Sequence, residues 1–168
     1  MMKINESKLI EGDKLTKEGK YEEAIKKYYS ALENEKNSTY FKSKILTNRG
    51  ICYNLMNENK KALKDLNEST IVNPDYSFTY IMKGVINSQI GSPENAKKDF
   101  AKAKELDPSM SKLIKEINTK IDKTSKEKKE NKDKDTKEDK KDDNEIIVND
   151  YRDNTEINIT LCKEDCVY

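Results

Sequence analysis

Gly50-Ile51-Cys52-Tyr53, followed by Ala62, Leu66 and Pro74, returns as Gly84-Val85-Ile86-Asn87, followed by Ala96, Phe100 and Pro108. The displacement is about 34 residues throughout. An earlier copy carries Gly12, Leu15, Ala24, Tyr28 and Ala31 at the same internal spacing, with Lys36 where the later copies have their closing proline. Such a period marks stacked helix pairs, each of which buries its apolar face only against its neighbours. Gly12, Gly50 and Gly84 in the first helices and Ala24, Ala62 and Ala96 in the second let two helices approach closely. Tyr28, Leu66 and Phe100 fill the space a turn further on, at about 1.5–3 kcal/mol of burial each. Gly19 and Gly91 punctuate turns, and Pro74 and Pro108 stop the second helices. The expected fold is all-α: an α-solenoid of three helix-turn-helix repeats over about 5–38, 43–76 and 77–110.

Thr39-Tyr40-Phe41-Lys42 are extra residues between the first two copies and read as an added N-terminal turn on the next helix. In place of a fourth repeat, Met110, Leu113, Ile114, Ile117 and Ile121 form one helical stripe, as a capping helix over 109–122 requires. The domain is thus expected to occupy 1–122. From 123 to 144 the chain is nearly all Lys, Glu, Asp and Asn, a composition that buries nothing and predicts a disordered linker. Residues 145–168 bring back Ile146, Ile147, Val148, Ile157, Ile159 and Leu161 in an acidic setting and read as a docking motif.

Composition narrows function. With 168 residues, 33% of them hydrophobic and 39% charged, the chain supplies one modest core plus a solvated tail. Formal net charge is +1, so no overall field favours nucleic acid or an anionic membrane. Met1-Met2-Lys3-Ile4 opens without a signal-peptide core, and no run approaches the roughly 18 apolar residues of a membrane span, so a cytoplasmic or nuclear location is expected. Three cysteines without a histidine make a poor metal or disulfide framework; Cys52 reads as core, and Cys162 and Cys166 as incidental tail thiols rather than a redox pair. No histidine, phosphate-cradling glycine loop or framed carboxylate pair suggests catalysis, so no enzyme, cofactor, metal or small-molecule substrate is expected.

The run Gly19-Lys20-Tyr21-Glu22-Glu23-Ala24-Ile25-Lys26-Lys27-Tyr28-Tyr29 and the ending Glu105-Leu106-Asp107-Pro108 resemble the tetratricopeptide repeat family, over roughly residues 5 to 110. The resemblance implies a groove lined by the first helix of each pair: Leu9, Asp13 and Thr16, then Lys44, Asn48, Ile51 and Leu55, then Phe78, Ile81, Met82 and Val85. Lys44-Ile45-Leu46-Thr47-Asn48-Arg49-Gly50 looks like the second repeat of co-chaperone modules that grip a C-terminal Glu-Glu-Val-Asp through lysines, asparagines and an arginine. Asn48 keeps its clamp position. Leu9, Phe78 and Met82 stand where cations belong, and Asp13 where an asparagine does. The resemblance therefore implies a protein-interaction adaptor, co-chaperone-like but taking an apolar or amphipathic segment.

Two other readings stand beside this one. A chaperone-tail binder would have to work despite the altered clamp. A nucleic-acid or membrane-surface binder would have to use the linker lysines, which are interleaved with almost equal numbers of carboxylates and lack arginine and aromatic partners. Charge also divides along the chain: residues 1–122 hold 22 Lys and Arg against 18 Asp and Glu, whereas 145–168 hold 2 against 6. A linker spanning on the order of 25 Å would let the acidic tail contact the basic body as an intramolecular ligand.

Overall fold

The computed structural model describes residues 4–33, 38–130, 145–150 and 155–160. The chain divides into two units, Met1–Pro108 and Ser109–Tyr168. The first is a repeat body of three helix pairs: α1 (Ile4–Lys17) on α2 (Tyr21–Leu32), α3 (Thr39–Leu55) on α4 (Asn59–Val72), and α5 (Ser77–Gln89) on α6 (Pro93–Leu106). Second helices also touch the next pair, α2 on α3 and α4 on α5. The first helices meet in series, α1 with α3 and α3 with α5, so they share one wall.

The three intra-pair turns are built alike. Gly19, Asn57 and Gly91 have left-handed φ of 74°, 60° and 75°. In each turn this residue donates back to Thr16, Asn54 or Ser88, and its successor donates to Leu15, Tyr53 or Asn87. This pair of bonds satisfies carbonyls at the end of the first helix and reverses the chain. Asn57 does in the middle pair what glycine does in the outer two, because asparagine is among the few side chains that tolerate this region. Thr39 to Lys42 form the first turn of α3, capped by Ser38, whose hydroxyl accepts the Phe41 amide at 3.2 Å.

Close approach within each pair follows from the missing side chains. A Cβ on Gly12 would lie 2.5 Å from Tyr28 Cε1, and one on Gly84 2.5 Å from Phe100 Cε1. At Gly50 the nearest atoms, Ala62 O and Leu66 Cγ, are 3.2 Å away. Ala24, Ala62 and Ala96 are buried beside them, as are Tyr28, Leu66 and Phe100.

Charge repeats in register as well. Glu11–Lys27 (2.6 Å), Arg49–Asp65 (2.6 Å) and Lys83–Asp99 (3.6 Å) each join a first helix to its second from the residue before the packing glycine, with the polarity reversed in the first pair. Only the middle pair is sealed: Arg49 donates through Nε and Nη2 to both Asp65 oxygens, and its guanidinium lies 4.3 Å from the Tyr29 ring centroid.

After the repeat body a 3₁₀ turn, Pro108–Met110, leads into α7 (Ser111–Glu130), the helix of the second unit. Leu113, Ile114 and Ile117 are its buried stripe. The helix runs past the expected end at residue 122, since Lys and Glu are good helix formers and no Gly or Pro interrupts them. The all-α class describes the repeat body, but the tail adds strands: β1 (Glu145–Asp150) pairs antiparallel with β2 (Thr155–Thr160), Ile146 opposite Ile159 and Val148 opposite Ile157. Both segments are rich in β-branched residues, which favour strands. Linker residues 131–144, together with Cys162 and Cys166, lie outside the described residues.

Candidate functional site

The wall formed by α1 and α3 is stitched by polar groups from three helices. Asp13 on α1 accepts, through Oδ1, the Tyr28 hydroxyl from α2 and the Asn48 amide from α3, both at 2.8 Å. A turn later, Thr16 Oγ1 donates to or accepts from Tyr28 Oη at 3.0 Å and Cys52 Sγ at 3.2 Å. Burial raises the Asp13 carboxyl above the ordinary range, against the opposing pull of those two donors and of Lys44 and Lys17. Burial likewise pushes the Cys52 thiol up to about 12, which leaves it an unreactive core group.

A carboxyl whose folded-state pKa is raised binds its proton more readily folded than unfolded, so the charged form weighs against the fold. Stability therefore falls as pH climbs from about 3.9, the unfolded value, through the raised folded value, and levels off above it. Asp13→Asn removes this dependence and keeps an oxygen for Tyr28 and Asn48. Urea midpoints of the two proteins are expected to diverge over that window, with the variant gaining as pH rises and the gap then constant; parallel curves would refute the burial of this charge.

The expected groove residues separate into two groups. Asp13, Lys44 and Asn48 come together at the α1–α3 seam, and Leu55 and Thr16 are half-buried on the same helices. Leu9 packs instead into the core with Ala24, Tyr28, Ala31, Ile45 and Cys52. Ile51, Phe78, Ile81, Met82 and Val85 are at most 1% exposed. An open apolar strip along α5 was expected; in this structure that strip is closed. Phe78 also meets the ring of Tyr76, itself edge-on to Tyr40.

Two features were missed in the sequence. Ile10 occupies the repeat position of Asn48 and Met82 and is 50% exposed, so the accessible apolar residue of the wall sits on α1 rather than α5. The register of the copies was a sufficient signal for it. At the α3–α5 seam, Ser43, Thr47, Ser69 and Thr79 form a sealed hydroxyl cluster with contacts of 2.6–3.0 Å, every member at 0% exposure. Asn54 adds a bond to Gln89 at 2.7 Å across the same seam. Among the described residues no group of His, Cys, Asp and Glu could hold a metal ion, and no helix is long and apolar enough to cross a membrane.

Comparison with known proteins agrees with this architecture. The tetratricopeptide repeat family model matches residues 79–110. The chain is 30% identical over 89 residues to heat shock protein STI1 of Saccharomyces cerevisiae, covering 53% of this chain and 15% of that protein. It is 30% identical over 98 residues to human (Homo sapiens) RNA polymerase II-associated protein 3, covering 58% and 14%. Against the Hsp70-Hsp90 organizing protein of Triticum aestivum it is 24% identical over 112 residues, covering 67% and 19%. The matched region is thus less than a fifth of the length of each of these relatives. Among solved structures, Hsp90 co-chaperone Cns1 from Saccharomyces cerevisiae superposes with a TM-score of 0.63 at 22% identity, over 77% of this chain and 42% of that one, and so shares the fold.

Proposed function

We propose that this chain, whose residues 79–110 match the tetratricopeptide repeat family model, is a non-catalytic adaptor that holds a partner protein's peptide or helix on the wall of its first helices, in a chaperone-associated setting but without gripping a chaperone's terminal carboxylate. The relatives support the adaptor role and the setting, since their names place them as heat-shock, Hsp70-Hsp90 organizing and Hsp90 co-chaperone proteins. One observation carries the departure from them: the Asn48 amide, the clamp group that the chain retains, is already bonded to Asp13 at 2.8 Å. A ligand carboxylate would have to break that bond and sit beside a second carboxylate, with Leu9, Phe78 and Met82 supplying no cation in return. The accessible part of the wall is then Ile10, Asp13, Thr16 and Leu55, and a partner reaches Phe78, Ile81, Met82 and Val85 only in a state in which they are uncovered.

The test is selection of displayed random dodecapeptides on the full chain, followed by calorimetry beside a peptide ending in Glu-Glu-Val-Asp. Selected peptides are expected to bind saturably and to lose affinity on Ile10→Ser, an exposed substitution that spares the fold. The Glu-Glu-Val-Asp peptide is expected not to bind in the low micromolar range. Failure to select any peptide would sink the adaptor reading, and salt-sensitive low micromolar binding of the Glu-Glu-Val-Asp peptide would restore the chaperone-tail reading.

A further inference from the structure

Asp13 has one oxygen spoken for and one to spare. Oδ1 accepts from both Tyr28 and Asn48, whereas Oδ2 meets no hydrogen-bond donor among the described residues. The residue is half-buried rather than sealed. The two bonds, one from α2 and one from α3, hold the carboxylate in place. Lys44 and Lys17 act on Asp13 through space. Three residues earlier on the same helix, and so on the same face, stands Ile10, half exposed. A preoriented acceptor beside an accessible aliphatic side chain is the complement of a side chain that ends in an N–H donor and adjoins an apolar residue.

We propose that this wall selects a partner segment carrying a lysine or arginine next to an aliphatic residue, the cationic head donating to Asp13 Oδ2 and the aliphatic residue covering Ile10. This rests on the adaptor reading above and names the ligand chemistry of the same site. The polarity is reversed from a carboxylate clamp: the protein contributes the anion and the ligand the cation. Lysine and arginine fit the geometry through their long apolar stems, which can lie along Ile10 while the charged head reaches the half-buried carboxylate. A hydrogen bond to a charged, partly desolvated acceptor is among the stronger single contacts available to a peptide.

The experiment uses the full chain and the same library of displayed random dodecapeptides, selected in parallel on the wild type and on Asp13→Asn. Asparagine keeps the oxygen that Tyr28 and Asn48 need, and a thermal melt of the variant verifies the fold. Peptides selected on the wild type are expected to be enriched in Lys or Arg beside an aliphatic residue. Replacing that basic residue by norleucine in one synthetic peptide is expected to weaken wild-type binding about tenfold or more. On Asp13→Asn the same replacement is expected to have little effect. Peptides that bind without any basic preference, or a norleucine penalty equal in the two proteins, would overturn this inference and leave the adaptor reading standing. Absence of any selected peptide would overturn both.

Discussion

Replacing Arg49 by alanine is expected to lower the unfolding free energy of the repeat body by about 3–5 kcal/mol, a large share of the roughly 5–15 kcal/mol that holds an ordinary domain together. The reason lies with the partner left behind. Asp65 is 4% exposed and takes both of its charge-assisted bonds from Arg49, at 2.6 and 2.8 Å. Without them its charge is stranded between α3 and α4, where water reaches it poorly. Arg49→Lys keeps a cation but loses the fork and the flat face against Tyr29, so an intermediate loss is expected. The double variant Arg49→Met with Asp65→Leu removes the stranded charge and is expected to recover most of the stability. The register-equivalent pairs grade the effect by exposure: Lys83–Asp99 is longer and more open, and Glu11–Lys27 is exposed on both sides. Denaturant unfolding should therefore rank Arg49→Ala as the most damaging, then Lys83→Ala, then Lys27→Ala. Arg49→Ala matching Lys27→Ala would show that the middle pair is no more than a surface contact.

The second large effect is expected at the packing glycines, and its order is informative. Alanine gains about 1 kcal/mol over glycine in a helix interior, while overpacking a tight contact costs about 1–3 kcal/mol. At Gly12 the added carbon meets the Tyr28 ring at 2.5 Å, and that ring is tethered through its hydroxyl to Asp13 and Thr16, so it cannot swing aside without breaking the seam. At Gly84 the distance to Phe100 is the same, but Phe100 has no polar anchor. At Gly50 the clearance is 3.2 Å, with the end of Leu66 on one side and a backbone oxygen on the other. The expected ranking of loss is Gly12→Ala, then Gly84→Ala, then Gly50→Ala. Pairing Gly84→Ala with Phe100→Leu recreates the looser contact of the middle repeat, so the double variant should lose less than the two single changes added together. Simple additivity would mean that the clash relaxes through the backbone instead.

Much of this fold could be read from one dimension because the repeat states it three times. The positions of Gly12, Gly50 and Gly84 against Tyr28, Leu66 and Phe100 follow from spacing alone. The same register held two signals that were passed over: opposite charges recurring at 11 and 27, 49 and 65, 83 and 99, and an aliphatic Ile10 aligned with Asn48. The bonds of the candidate site were not legible. Asp13 meets Asn48 only because adjacent pairs stack at a particular angle, and Leu9 turns into the core for the same reason. The closure of Phe78, Ile81, Met82 and Val85 depends on three-dimensional packing, to which helical periodicity is blind: a residue facing a groove and one facing a core recur at the same interval.

The hydroxyl cluster has a consequence for how the molecule comes apart. Stacked repeats can unfold piecemeal, since each touches only its neighbours. Ser43 and Thr47 belong to α3, Ser69 to α4 and Thr79 to α5, and their protons are shared among atoms that no water reaches. Separating the third repeat from the second would strand several of those groups at once, so there is no cheap half-open state at this seam. The α1–α3 seam closes instead on the half-open Asp13. The seam between the second and third repeats is thus expected to open less readily than its polar groups alone would suggest for a stack of nearest-neighbour units.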